Sequence, residues 1–178
     1  MISYDEGVAL LRKHHVHPNI IHHCQGAAEV AWQLARQILE AYPGLHLDPE
    51  KVRLTTLLHD IGRSRPGLHE HNSVEILKEE GLPELAEIVM HGTLYEIYLL
   101  QGEEAPHLLP QTLEQKIVCY ADLRFAQEPM TLRERFDDAI RRKTHVPEII
   151  QALALAEERF FALEAEILAW TRPGQAHP

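Results

Sequence analysis

The sequence predicts an all-α protein built as a single-domain helical bundle. Three observations carry this. Apolar residues recur at the i, i+3, i+4, i+7 spacing of amphipathic helices in segment after segment. Helix-start signatures separate those segments. No stretch shows sustained period-two alternation bounded by hairpin turns. With 178 residues, 45% of them apolar, the chain can fill a full core.

The elements follow in order. Ser3 with Glu6 makes a capping-box pair that opens the first helix. Pro18 suits a first turn, and its helix runs to about Tyr42. There Ile20, His23, Ala27, Ala31, Leu34 and Ile38 share one face, while His22, Gly26, Glu29, Gln33 and Arg36 share the other. His23 is therefore expected in the core and His22 in water. Asp48 before Pro49 starts a helix expected to run through Gly62, with Leu54, Leu57, Leu58 and Ile61 as its core stripe. Thr56, His59, Asp60 and Arg63 then face the opposite side, which is either solvent or a cavity.

Arg63 to His71 reads as an irregular loop, and Asn72 with Glu75 as the next helix start. Leu82 to Met90 reads as helix, and Gln101 to Pro110 as a second irregular stretch. Thr112 with Gln115, Thr131 with Glu134, and Pro147 open the last three helices. In the final one Ile149, Leu153, Ala156, Phe160, Leu163, Ile167 and Trp170 alternate spacings of four and three. That seam serves either an intramolecular packing face or a homodimer. Residues 1–170 form the expected domain, with 171–178 a loosely ordered tail.

Chemistry concentrates at His59-Asp60. Neighbours on a helix lie about 100° apart, so the two side chains straddle one point, where a cation would bond both. The dipeptide alone is equally compatible with a polar outer face. His23, on an apolar face, needs a partner for each ring nitrogen, either hydrogen bonds or a metal with a further acceptor. Asp122 lies one turn after Val118 and one before Ala126 in an apolar run, where an unpaired carboxylate is expensive. Arg124 faces elsewhere, so a metal is the economical partner.

The order His23, His59-Asp60-Ile61-Gly62, Asp122 resembles the HD superfamily of metal-dependent phosphohydrolases, in its HDIG subgroup. The likeness runs from about Ile20 to Ala126, around a core of about 18–128, and includes Ile-Ile-His-His-Cys-Gln-Gly-Ala-Ala-Glu-Val-Ala and Leu-Glu-Gln-Lys-Ile-Val-Cys-Tyr-Ala-Asp. It implies an HD-type helical fold with His23, His59, Asp60 and Asp122 as metal ligands. It places a further histidine at His69, with His71 competing, and another near His91. Arg63 and Leu123 stand where relatives often carry lysine.

The activity implied is hydrolysis of a small phosphomonoester or phosphodiester, with a nucleotide as the expected substrate, by a metal-activated water. Asp60, Arg63, His69 and His91 are the expected catalytic residues. The donor set suits Mn, Fe, Ni, Co or Zn, as one ion with a second possible. His69 and His91 would hold that second ion or contact the phosphate. A dinuclear-iron oxygenase and a non-catalytic, metal-stabilised sensor or interaction domain are the alternatives. Irregular segments beside a rigid scaffold often receive substrate. Arg63, Arg65 and His69 form one candidate phosphate grip, and Lys116 is a further candidate.

A formal net charge of -10 argues against a broad nucleic-acid surface. No basic segment precedes an apolar stretch at the start, and no apolar run reaches membrane-spanning length. Cys24 and Cys119, both in apolar helical contexts, fit reduced thiols of a cytoplasmic protein.

Overall fold

Start signals in the sequence become helix ends in space. In the computed structural model, which describes residues 2–174, Ser3, Thr112 and Thr131 each form a reciprocal capping box with Glu6, Gln115 and Glu134. Each box satisfies orphan N–H groups at a helix start. Asp48 accepts from the N–H groups of Glu50 and Lys51, and Pro18, Pro49 and Pro147 sit in first turns.

The described residues form nine α-helices, two 3-10 turns and no strand. They are α1 (Tyr4–Lys13), α2 (Pro18–Ala41), α3 (Pro49–Leu58), α4 (His69–Glu79), α5 (Pro83–Ala86), α6 (Leu94–Leu100), α7 (Leu113–Asp122), α8 (Leu132–Lys143) and α9 (Pro147–Trp170). The 3-10 turns are Ile61–Ser64 and Pro106–Leu108.

Two apolar clusters fill the interior, and α2 runs through both. Its N-terminal half packs Ile21, Cys24 and Ala28 against Leu11, Leu54, Leu57, Ile61, Ile76 and Leu85. Its C-terminal half packs against α7 and places Ala31, Ala35 and Ile38 in a cluster that residues of α8 and α9 complete. The alanines let α2 lie close along α3, the most extensive helix pairing in the bundle. His23 projects from α2 at the junction of the clusters, so the site is anchored by the whole core. Large-to-alanine changes at buried positions such as Leu57 or Phe160 cost about 2–5 kcal/mol.

Four expectations are corrected. The helix through the His-Asp pair ends at Leu58, and Ile61–Ser64 is a 3-10 turn. Thr56 is fully buried, donating to the carbonyl of Val52, and does not share a cavity face with Asp60. The glycine at position 62, inside that 3-10 turn, has a packing cause. A Cβ there would collide with the His69 carbonyl and the Ser73 amide nitrogen, both backbone atoms that cannot swing away. Glycine thus admits the start of α4, and the Gly62 N–H donates to Ser73 Oγ, which donates to the His59 carbonyl.

Helix α4 starts at His69, not at Asn72. The Asn72 amide instead reaches the carbonyls of Gly62, Arg65 and Pro66, tying down the preceding segment. The Leu82–Met90 helix shrinks to α5, because the chain turns away toward Gly92, whose φ of 76° suits glycine. His91 therefore stands on irregular backbone.

The seam of α9 is used within the chain. Leu153, Ala156, Phe160, Leu163 and Ile167 are buried against α7 and α8, with Ile149 and Trp170 packed at the edges. The tail expected at 171–178 lies, from Gln175 onward, outside the described residues. Among the described residues no helix is long and apolar enough to cross a membrane.

Candidate metal centre

Three buried imidazoles have their tautomers set by backbone carbonyls. His23 Nδ1 lies 3.2 Å from the Ala126 carbonyl, His59 Nδ1 2.6 Å from that of Thr56, and His91 Nδ1 2.9 Å from that of Val89. A carbonyl only accepts, so each Nδ1 carries a proton, which leaves the Nε2 of His23 and of His59 as the inward-facing ligand atom of its ring.

Those ligand atoms meet one another and two carboxylates. His23 Nε2 and His59 Nε2 are 3.3 Å apart. Asp122 Oδ1 is 3.0 Å from the first and 3.6 Å from the second. Acceptors this close to each other need a cation among them. Two nitrogens each about 2.0–2.1 Å from one ion at a tetrahedral angle lie about 3.4 Å apart, so the spacing fits a shared metal. Asp122 strengthens the demand, because it ends α7, where the helix dipole disfavours a negative charge.

Asp60 faces this group and a second one. Its Oδ2 is 3.8 Å from His59 Nε2 and 2.6 Å from Arg63 Nε. Its Oδ1 is 3.1 Å from His69 Nε2 and 3.6 Å from His91 Nε2. Asp60 Oδ1 and His91 Nε2 are both buried without a well-formed hydrogen bond. His23, His59 and Asp122 form one cluster within a metal's reach, and Asp60, His69 and His91 another. The residues present therefore fit a bound cation. Cys24 lies near His59 and Asp60, but burial raises its thiol well above the ordinary value, so it packs as a protonated hydrophobe.

The electrostatics agree. Burial alone would raise Asp60, but His59, the close Nε2 groups of His69 and His91, and the Arg63 guanidinium hold it well below the usual carboxylate range. Asp122 is likewise held low against burial by His23 and His59. Burial lowers His59, keeping its lone pair free. Burial opposes a charge on His91, yet Asp60, Asp122 and Glu70 outweigh it and raise the imidazole to about 9. In the metal-free protein His91 is thus the counter-cation that an ion would displace.

A model of the HD domain matches residues 20–126. The chain belongs to the HD-domain family. It is also 35% identical over 171 residues to an uncharacterized protein of Methanocaldococcus jannaschii, covering 88% of this chain and 96% of that protein. No solved structure matches the chain. The HD-domain family is generally one of metal-dependent phosphohydrolases. The matched segment holds all six clustered donors, whereas α8 and α9 lie beyond it.

Not every sequence candidate reaches the HD-domain site. Arg63 and His69 line its cavities. Arg65 turns away to pair with Glu79, and Lys116 pairs with Glu166 on α9. His71 sits on α4 with Nε2 3.1 Å from the Tyr98 hydroxyl, so His69 is the residue that faces Asp60. His22 is exposed and bonds the Gln127 carbonyl.

Two residues at the site escaped the sequence reading. Glu70 is 5% exposed, and its Oε2 lies 3.1 Å from His69 Nδ1. Arg135 on α8 lies 3.8 Å from Asp122 Oδ1. Glu70, flanked by histidines in a segment read as loop, gave no periodic signal. The spacing Arg135, Ala139, Lys143 at i, i+4, i+8 could have marked a face turned to an anion.

Proposed function

We propose that the protein is a metal-dependent phosphohydrolase acting on a small phosphomonoester or phosphodiester, with a nucleotide as the substrate class, in the cytoplasm. One observation carries this reading: carbonyl-fixed imidazoles aim Nε2 lone pairs at two buried carboxylates beside an open cavity of about 590 Å³ lined by His23, Asp60, Arg63 and Arg135. His23, His59, Asp60 and Asp122 would hold a divalent transition metal; it would polarise the phosphoryl oxygen and make a bound water acidic near neutral pH.

The chain's own groups supply the rest. Arg63 pins Asp60 Oδ2, so that Oδ1 stays turned toward His69 and His91 and can accept a proton from the attacking water. His69 Nε2 and His91 Nε2, on the same wall, can donate to phosphoryl oxygens. Ile149 and Leu153 add apolar surface to the lining of both cavities.

A second reading of His69 and His91 is also supported. With Asp60 they form a donor cluster whose Oδ1 and Nε2 are buried and unpartnered. Arg65, which would repel another cation, is drawn off to Glu79. On this reading Asp60, His69 and His91 would hold a second ion beside the one at His23, His59 and Asp122. The test is to strip the protein with chelator, reload it with each of Mn, Fe, Ni, Co and Zn, count metal by mass spectrometry and assay a phosphoester panel. Hydrolysis that tracks metal content is expected, with stoichiometry near one or near two deciding the ion count. No turnover of any phosphoester by fully loaded protein would refute the reading.

A further inference from the structure

The protein is strongly acidic overall, yet the wall facing the metal donors is basic. Both cavities at the site, about 590 and 320 Å³, share Arg63, Arg135, Ala139, Lys143, Ile149 and Leu153. Arg135, Ala139 and Lys143 are one turn apart along a single face of α8, a row about 12 Å long by helical rise. This row lies outside the 20–126 segment that defines the HD domain.

Two of these cations, Arg135 and Lys143, are under-partnered. Arg63 is committed to Asp60 at 2.6 Å. Arg142, which lines the larger cavity, is neutralised by Asp138. Arg135 is different. Its contacts to Asp122 and Asp138 are 3.8 and 3.9 Å, beyond hydrogen-bond range, and its Nε is buried with no partner. Asp138 is already held by Arg141 at 2.8 Å and by Arg142. Lys143 makes no ion pair among the described residues. A guanidinium with five donors and no acceptor awaits an anion that takes a bidentate or bridging geometry.

A phosphoryl group at the metal donors would lie against Asp60, His69 and His91, which leaves Arg135 and Lys143 on α8 to meet a further anion. Resting on the phosphohydrolase reading above, we propose that Arg135 and Lys143 form a second anion subsite, so that the preferred substrate carries a further phosphate beyond the one attacked. The apolar strip of Ala139, Ile149 and Leu153 beside them would cover an uncharged part of the same molecule, such as a nucleobase.

Calorimetric titration of the metal-loaded protein with adenosine 5′-monophosphate and adenosine 5′-diphosphate tests this, with metal content re-measured after each titration. The diphosphate should bind at least about tenfold more tightly, a gap in keeping with one or two charge-assisted contacts. In Arg135→Gln and in Lys143→Gln that ratio should fall to within about threefold, while metal content and monophosphate affinity in Lys143→Gln stay close to the parent values. Circular dichroism melts of both variants confirm folding. Equal affinities in the parent protein overturn the subsite, as does a ratio that both folded variants preserve. A parent preference for the diphosphate that the variants abolish, in a protein that hydrolyses no phosphoester, supports the subsite and overturns only the catalytic reading beneath it.

Discussion

His23 Nε2 and His59 Nε2 stand 3.3 Å apart, although each ring has given its only neutral-state proton to a backbone carbonyl. Two lone pairs in contact are tolerable only if a proton or a metal lies between them. The helix that carries His23 also carries exposed His22, which supplies an internal control.

His23→Ala should therefore lose metal while His22→Ala keeps it. Even partners of metal ligands alter affinity by about 10–100-fold, so loss of a ligand should weaken binding by at least about 100-fold. Metal per chain, read by mass spectrometry after gel filtration, checks this. A loaded His23→Ala protein beside an empty His22→Ala protein would show that the wrong histidine had been assigned.

Gly62→Ala should destabilise the fold by about 1–3 kcal/mol, the range for overpacking a site that cannot relax. The added methyl meets backbone of α4, so relief requires the start of α4 to move. That carries His69 away from Asp60, and phosphoester turnover should fall with stability. Urea unfolding gives the first quantity and steady-state kinetics the second. A variant as stable and as active as the parent contradicts the proposed packing role.

What the sequence disclosed and what it hid have physical causes. Capping pairs are local, so Ser3 with Glu6, Thr112 with Gln115 and Thr131 with Glu134 could be read directly and recur as formed boxes. The end of α3 could not be read, because its apolar stripe continues to Ile61, past the last helical residue Leu58, and the close approach of α4 at Gly62 is a tertiary contact. His23, His59, Asp60 and Asp122 were legible through motif and helical face, and the fold brings their donor atoms together. Arg135 was hidden because it reaches the site from α8, after the last motif. Arg65 and Lys116 were overread, since sequence cannot show that Glu79 and Glu166 stand nearer to them than any ligand would.

The metal-free protein should lose stability as pH rises from about 6.5 to about 9. His91 is raised to about 9 in the folded state, against an ordinary value near 6.5. Its contribution is fully present below the unfolded value and is lost as pH climbs through the folded one, a change on the order of 3 kcal/mol for this fully buried group. His59, lowered by burial, acts in the opposite sense and only below its ordinary value. Asp60 and Asp122, held low, add stability that is lost in acid, below the ordinary carboxylate value. Thermal melts across pH 6.5–9 check the His91 window, and His91→Gln should flatten it. An equally steep decline in that variant would assign the effect to another group.

Asp60→Asn should abolish metal binding at both donor clusters while preserving the fold. The substitution keeps the shape of a side chain whose Oδ1 faces His69 and His91 and whose Oδ2 faces Arg63 and His59. What it removes is the carboxylate charge that belongs to one cluster and faces His59 of the other, and it leaves the Arg63 guanidinium without its closest anion. Arg63→Gln provides the contrast, since it frees Asp60 Oδ2 but leaves the carboxylate in place. It should retain metal and lose turnover through a mispositioned Asp60, with kcat falling by more than KM rises. Metal content and kinetics measured on both variants separate the roles. If Asp60→Asn binds as much metal as the parent, Asp60 is not a shared ligand, and His23, His59 and Asp122 would hold the ion without it.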